Sequence, residues 1–155
     1  NTGRVLRALE IYELTGYTMT HQIAQSRREP GAYDVCYIGL TAEDRDYLYD
    51  RINLRVDRMI ENGLLDEAKQ WLEERPGATA AQAIGIKEML PYLAGEDTLE
   101  NCTEKLKADT RHYAKRQLTW FRRNPDVHWL FIDQTPDLAA LTAEALAIID
   151  EEGIL

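Results

Sequence analysis

"VCYIGL", Val35 to Leu40, is a continuous apolar run bounded by polar residues, and the fold turns on how it is read. An unbroken run of this length, without apolar and polar alternation, suits a strand covered on both faces in a parallel sheet. "VHWLFID", Val127 to Asp133, is a second run of the same kind. Between the two the apolar spacing is helical. Thr41 with Asp44 three residues later resembles a capping box, and Leu48, Ile52, Val56, Met59 and Ile60 then line one helix face as far as Gly63. "LLDEAKQWLEE" carries another helix to a stop at Pro76-Gly77. "TAAQAIGIKEMLPYLAGED" reads as a loop and a short helix ended by Gly95, after which Thr98 with Asn101 opens a long helix through Arg123. Past the second strand, Leu138, Leu141, Ala145, Ile148 and Ile149 mark a last amphipathic helix. Upstream, "GRVLRALEIYELTG" places Val5, Leu9 and Tyr12 at helical spacing before Gly16. "YTMTHQIAQSRREPGAYD", with Pro30-Gly31, has no sustained period and is expected to be a connector.

Two strands of the buried type cannot cover their own faces and edges, because an open edge leaves unpaired backbone groups. The chain also begins with Asn1. Together these lead us to expect the C-terminal portion of a larger α/β protein. The alternative is two strands paired within an otherwise helical domain.

The totals narrow the function classes. With 155 residues, 45% of them apolar, the chain has material for one domain with a real core. Its 27 acidic and 18 basic residues give a net charge of −9, which argues against a nonspecific nucleic-acid coat. Cys36 and Cys102 suggest neither a disulfide framework nor a Cys metal site. No apolar run approaches the roughly 18 residues of a membrane span, and no signal-peptide layout is visible; a cytoplasmic location is expected.

Against this acidity, "TRHYAKRQLTWFRRN", Thr110 to Asn124, gathers five Lys and Arg residues and no carboxylate. On a helical wheel Arg111, His112, Lys115, Arg116, Arg122 and Arg123 share one arc. Trp120, Tyr113, Phe121 and Ala114 fall opposite, with Leu118 alone among the cations. A helix with one buried and one positive face is expected, and guanidinium groups gathered along an axis suit a phosphate backbone. The plainer reading is a solvated face matched to the chain's own acids. "DRINLRVDRM" holds a second set, Arg51, Arg55 and Arg58. Arg55 falls at the edge of the stripe made by Leu48, Ile52 and Met59, a costly place for a charge unless an anion meets it or its head reaches water past a buried stem.

Other chemistries find no support. His21, His112 and His128 lack metal-type spacing. There is no G-x-x-x-x-G-K-[ST], no G-x-G-x-x-G and no G-x-S-x-G. Gly85 in "QAIGIKE" fits an ordinary turn, or a close backbone approach to a ligand.

Taken in order, "GRVLRALEIYELTG", "RINLRVDRMIENGLLDEAK", "AIGIKEMLPYLAGE", "DTRHYAKRQLTWFRR" and "VHWLFID" resemble the tRNA dimethylallyltransferases (tRNA isopentenyltransferases). "YAKRQLTWFRR" is the most specific match, and the likeness extends from Asn1 to about Asp133. It implies transfer of a dimethylallyl group from dimethylallyl diphosphate to N6 of the adenosine beside the anticodon, at tRNA position 37. The implied fold is the C-terminal part of a P-loop-kinase-like parallel sheet flanked by helices. Residues 1–30 would be a helix and connector following the family's insertion, and residues 31–155 part of the catalytic core. In the family the phosphate loop, the acidic general base and the Mg2+ contacts lie in the N-terminal half, which this sequence does not contain. The fragment alone is therefore expected to be inactive.

The resemblance also assigns residues. Gly3, Arg4, Val5, Leu6 and Arg7 match one tRNA-contacting stretch. Gln82, Ala83, Ile84, Gly85, Ile86 and Lys87 match a second, although Ile86 stands where an aromatic is frequent. Lys115, Arg116, Gln117, Leu118, Thr119, Trp120, Phe121 and Arg122 match a third. Arg51 and Arg55 match the arginines of which one faces the diphosphate, with a slight preference for Arg51. The expected partners are a tRNA anticodon stem-loop and dimethylallyl diphosphate, with no membrane and a monomeric protein. The rival readings are a tRNA-binding module without catalysis, and a transferase for free adenine nucleotides or a nucleoside kinase relative.

Overall fold

The computed structural model describes residues 2–26, 33–74, 83–135 and 137–153. The Pro30-Gly31 pair, the Pro76-Gly77 stop and Gln82 lie outside the described residues. The chain divides into two compact units, Asn1–Val35 and Cys36–Leu155.

Helix α1 (Thr2–Thr15) and helix α2 (Met19–Ser26) make up the first unit. Helix α1 ends at Gly16, whose φ of +72° is open to glycine and whose amide donates to the Tyr12 carbonyl at 2.8 Å. The segment after it was expected to be a connector and instead forms α2. Thr18 accounts for the difference, because its hydroxyl accepts the His21 amide at 3.2 Å, as a helix N-cap does. Tyr17 also stacks on His21, with ring centroids 4.7 Å apart. Local capping thus starts a helix that apolar periodicity does not signal. Neither helix has a buried residue.

The second unit runs β1 (Tyr37–Thr41), α3 (Arg45–Glu61), α4 (Leu64–Glu74), α5 (Ile86–Leu93), α6 (Leu99–Phe121), β2 (Val127–Phe131) and α7 (Leu138–Glu151). The two strands pair in parallel, from Tyr37 opposite Val127 to Thr41 opposite Phe131. Gly39 is needed in this register, since a Cβ there would lie 2.7 Å from the ring of Trp129. The strands are not covered on both faces as expected. Tyr37 and Leu40 are 44% and 61% exposed, and only Thr41 and Leu130 are buried. The reason is the layering: α7 packs on β2, whereas no described helix packs extensively on β1.

The hydrophobic core lies among the helices. Val56 of α3, Leu64 and Ala68 of α4, Ile86 and Met89 of α5, and Cys102 and Leu106 of α6 form one buried cluster. The cap of α3 also differs from the expected Thr41. Asp44 caps it, accepting the Asp46 amide at 2.9 Å, while Thr41 is buried as the last strand residue. Asp133, just past β2, fixes this corner by accepting the amides of Asp44 at 2.8 Å and Glu43 at 3.1 Å. The Asp44 amide is the main cause that holds the Asp133 carboxyl below its ordinary range. Among the described residues no helix is long and apolar enough to cross a membrane.

Candidate nucleic-acid interface

The interface is set by the register of α6. Thr98 caps the helix as its spacing predicts, accepting the Asn101 amide at 3.2 Å, and Cys102 with Leu106 anchors its first half in the core. Stepping three or four residues onward from Leu106 reaches Thr110, Tyr113 and Ala114, Gln117 and Leu118, and finally Phe121. Those side chains line one wall of a cleft of about 660 Å³. Across it stand β1, Trp129, the α3 residues Leu48, Ile52, Arg55 and Met59, and Ile84.

This register corrects the expected buried face. Trp120, Tyr113 and Phe121 are 64%, 43% and 41% exposed. Leu118, expected among the cations, is half-buried and faces the cleft. The wheel of the C-terminal segment alone placed the aromatic arc correctly around Phe121 and Tyr113 but could not tell a core from a cleft. Trp120 lies to one side, edge-on to Phe121 with centroids 4.8 Å apart, in a smaller hollow shared with Tyr37 and Arg123.

The cations separate into two kinds. Lys107 pairs with Asp57 of α3 at 2.8 Å and with Glu104 at 2.9 Å; the hydrogen bond to Asp57, then that to Glu104, raises its pKa. Arg111 donates to Asn53 Oδ1. These two residues tie α6 to α3. Among the described residues no carboxylate lies within 4.0 Å of the charged groups of Lys115, Arg116, Arg122 or Arg123. Arg116 instead lies over the Tyr113 ring at 5.6 Å. Lys115, Leu118, Thr119 and Arg122 line a second hollow of about 550 Å³ against the start of α3, whose rim includes Glu43, Asp44 and Asp46.

Arg51 and Arg55, both exposed and without a carboxylate within that distance, take different positions. Arg55 lines the main cleft. Arg51 lies over the Tyr47 ring at 5.8 Å and is not among the residues of the cleft wall.

The 83–87 stretch forms the turn that starts α5. Gly85 takes φ +107° there, where a side chain would be strained. Ile84 faces the cleft, Lys87 is partly exposed, and the Ile86 side chain is buried in the core. Glu88 is not among the candidate residues that the sequence pattern offers. Its Oε2 accepts the Gly85 amide at 2.8 Å, while the residue is only 1% exposed. The signal was present as a glutamate three residues after a helix-starting glycine, the spacing of a capping box. Gly3 to Arg7 lie on exposed turns of α1 in the first unit, where Arg7 pairs with Glu10 at 3.3 Å.

Among the described residues no group of three or more His, Cys, Asp or Glu could hold a metal ion. No chemistry assigned to these residues uses Mg2+.

A family model for IPP transferase matches residues 1–124. This chain belongs to the IPP transferase family. The tRNA dimethylallyltransferase of Halalkalibacterium halodurans is 52% identical over 130 residues, 83% of this chain and 41% of that protein. That of Limosilactobacillus reuteri is 50% identical over 139 residues, 88% of this chain and 43% of its own. Two solved structures share the fold. The tRNA delta(2)-isopentenylpyrophosphate transferase of Staphylococcus epidermidis superposes with a TM-score of 0.73 at 38% identity, over 97% of this chain and 49% of that one. The full-length tRNA isopentenylpyrophosphate transferase of Bacillus halodurans gives 0.67 at 41% identity, over 99% and 47%. This IPP transferase chain thus spans less than half the length of these relatives, and its helix-rich α/β fold with two parallel strands is theirs.

Proposed function

We propose that this chain supplies the RNA-docking side and a leaving-group contact of an enzyme that transfers a dimethylallyl group from dimethylallyl diphosphate to N6 of the adenosine beside the tRNA anticodon. The observation that carries this reading is a shared cleft. Arg55 lines the same hollow as Ile84 of the α5 turn and Gln117, Leu118 and Phe121 of α6, so residues from three separate matching segments meet around one space.

In the transfer a bond forms between N6 and the allylic carbon as the bond from that carbon to the diphosphate oxygen breaks. The diphosphate leaves with the electron pair, and N6 gives up a proton. Negative charge grows on the departing oxygen, where a preplaced guanidinium stabilises it most. Arg55 is assigned this role ahead of Arg51 because of its place on the cleft wall. The adenine has to leave its stack to present N6, and the exposed rings of Phe121 and Trp120 offer faces on which bases can rest. Lys115, Arg116 and Arg122 meet backbone phosphates and set the register of the RNA.

The test is turnover in the intact protein. Arg55→Ala lowers kcat by roughly 100-fold, the lower end of the scale for losing one electrostatic contact to a developing anion, with tRNA affinity little changed, and Arg51→Ala has the smaller effect. Unchanged turnover in Arg55→Ala removes it from the mechanism. Excess AMP leaves tRNA modification unaffected; transfer to AMP in preference to tRNA reassigns the acceptor.

A further inference from the structure

A buried carboxylate at the start of α5 does more than a helix cap requires. One acceptor satisfies the Gly85 amide, and Glu88 Oε2 supplies it at 2.8 Å. The second oxygen, Oε1, is also shut off from solvent and has no hydrogen-bond partner among the described residues. Its one charged neighbour in the described structure is Lys87, whose Nζ lies 3.3 Å away without hydrogen-bond alignment while its side chain stays 38% exposed. A glutamine would cap Gly85 equally well without burying a charge, and a buried charge is retained at a cost unless a partner meets it. The cap therefore explains the side chain's length and not its charge.

We infer that Glu88 is a positioning residue for RNA contact: Oε2 locks the Gly85 turn while Oε1 draws the Lys87 ammonium to one side of it. The attraction is between charges 3.3 Å apart rather than through an aligned hydrogen bond, so the three donors of the ammonium stay available for phosphate oxygens. The lysine is then held in place before RNA arrives, and less side-chain freedom is lost on binding. Gly85 serves the same end. Its φ of +107° turns the chain sharply between Ile84, on the cleft wall, and Lys87 on the adjoining surface, and a Cβ at Gly85 would meet only ordinary contacts with Leu64 and Met59. Backbone geometry, rather than space, selects glycine there. The inference rests on the reading of residues 83–87 as an RNA contact.

The experiment is a double-mutant cycle in the intact enzyme, with a tRNA substrate as probe. Glu88→Gln keeps the volume and the Gly85 acceptor and removes the charge. It is expected to raise KM for tRNA about tenfold, the scale of one charge-assisted hydrogen bond, while kcat and KM for dimethylallyl diphosphate hold. Lys87→Ala is expected to raise the same KM by a similar factor, and the double variant by no more than Lys87→Ala alone. Glu88→Asp, which keeps the charge but retracts it, falls between. An equal rise on adding Glu88→Gln to Lys87→Ala overturns the inference, because it marks general damage to the fold. A rise in Lys87→Ala with none in Glu88→Gln also overturns it and leaves the RNA contact standing. No rise in Lys87→Ala removes the inference and the contact together. Thermal melts read the same coupling without RNA, and additive Tm losses there count against the pair.

Discussion

The two halves of α6 carry the same kinds of residue to opposite ends. In the first half Cys102 and Leu106 are buried, and the cations Lys107 and Arg111 are taken up by Asp57, Glu104 and Asn53. In the second half Lys115 and Arg116, and just past its end Arg122 and Arg123, meet no carboxylate among the described residues, and the apolar side chains line open clefts. The difference is reach. Asp57 and Asn53 of α3 fall within hydrogen-bond distance of Lys107 and Arg111. Beyond Arg111 the start of α3 still faces α6, but across open hollows, and no described carboxylate there comes within 4.0 Å of Lys115, Arg116, Arg122 or Arg123. A positive stripe is informative about binding only where the fold has not already consumed it.

Single substitutions test that division, the largest expected effect first. Leu106→Ala is expected to destabilise the protein by about 2–5 kcal/mol through lost burial and a cavity, read as a fall in Tm. Trp120→Ala, at a residue 64% exposed, is expected to cost roughly 0.5 kcal/mol of stability or less and to act on RNA affinity instead. Equal Tm losses from both would erase the division. Arg116→Ala and Arg123→Ala are expected each to weaken RNA binding several-fold regardless of sequence and to reduce the slope of log affinity against log salt by about 1. Arg111→Ala, already engaged by Asn53, is expected to leave that slope alone. A salt-independent affinity for the parent protein would end the phosphate reading.

The smallest effect concerns Lys107. Its raised pKa means that its contribution is fully present below the unfolded value of about 10.4 and is lost as pH rises through the folded value. Lys107→Met is expected to remove about 1 kcal/mol or less, since Asp57 remains partly exposed, and to flatten the alkaline limb of a stability profile. An unaltered limb would show that the pair does not hold the two helices together.

Much of the architecture was legible because it depends on short-range chemistry. Helices α3, α4, α6 and α7 follow apolar spacing, Thr98 caps where a threonine three residues before Asn101 should, and two apolar runs became the two strands. Helix α2 was not legible, since its start depends on the Thr18 hydroxyl and a Tyr17–His21 stack rather than on periodicity. The cap of α3 was misplaced for a related reason: Thr41 and Asp44 are both good capping residues, and burial of Thr41 at the end of β1 chose between them. Gln82 lies outside the described residues and Gly3 to Arg7 belong to the other unit, so the cleft described is that of the second unit.

By itself the sequence determined which segments are helical, which are extended, and where positive charge accumulates, because these depend on residues a few positions apart. Only the tertiary structure decided which cations are spent on neighbouring helices, that Arg55 rather than Arg51 lines the cleft, and that Glu88 is buried behind Gly85. Those outcomes depend on distances between elements far apart in the chain, and no local pattern encodes a distance that packing alone sets.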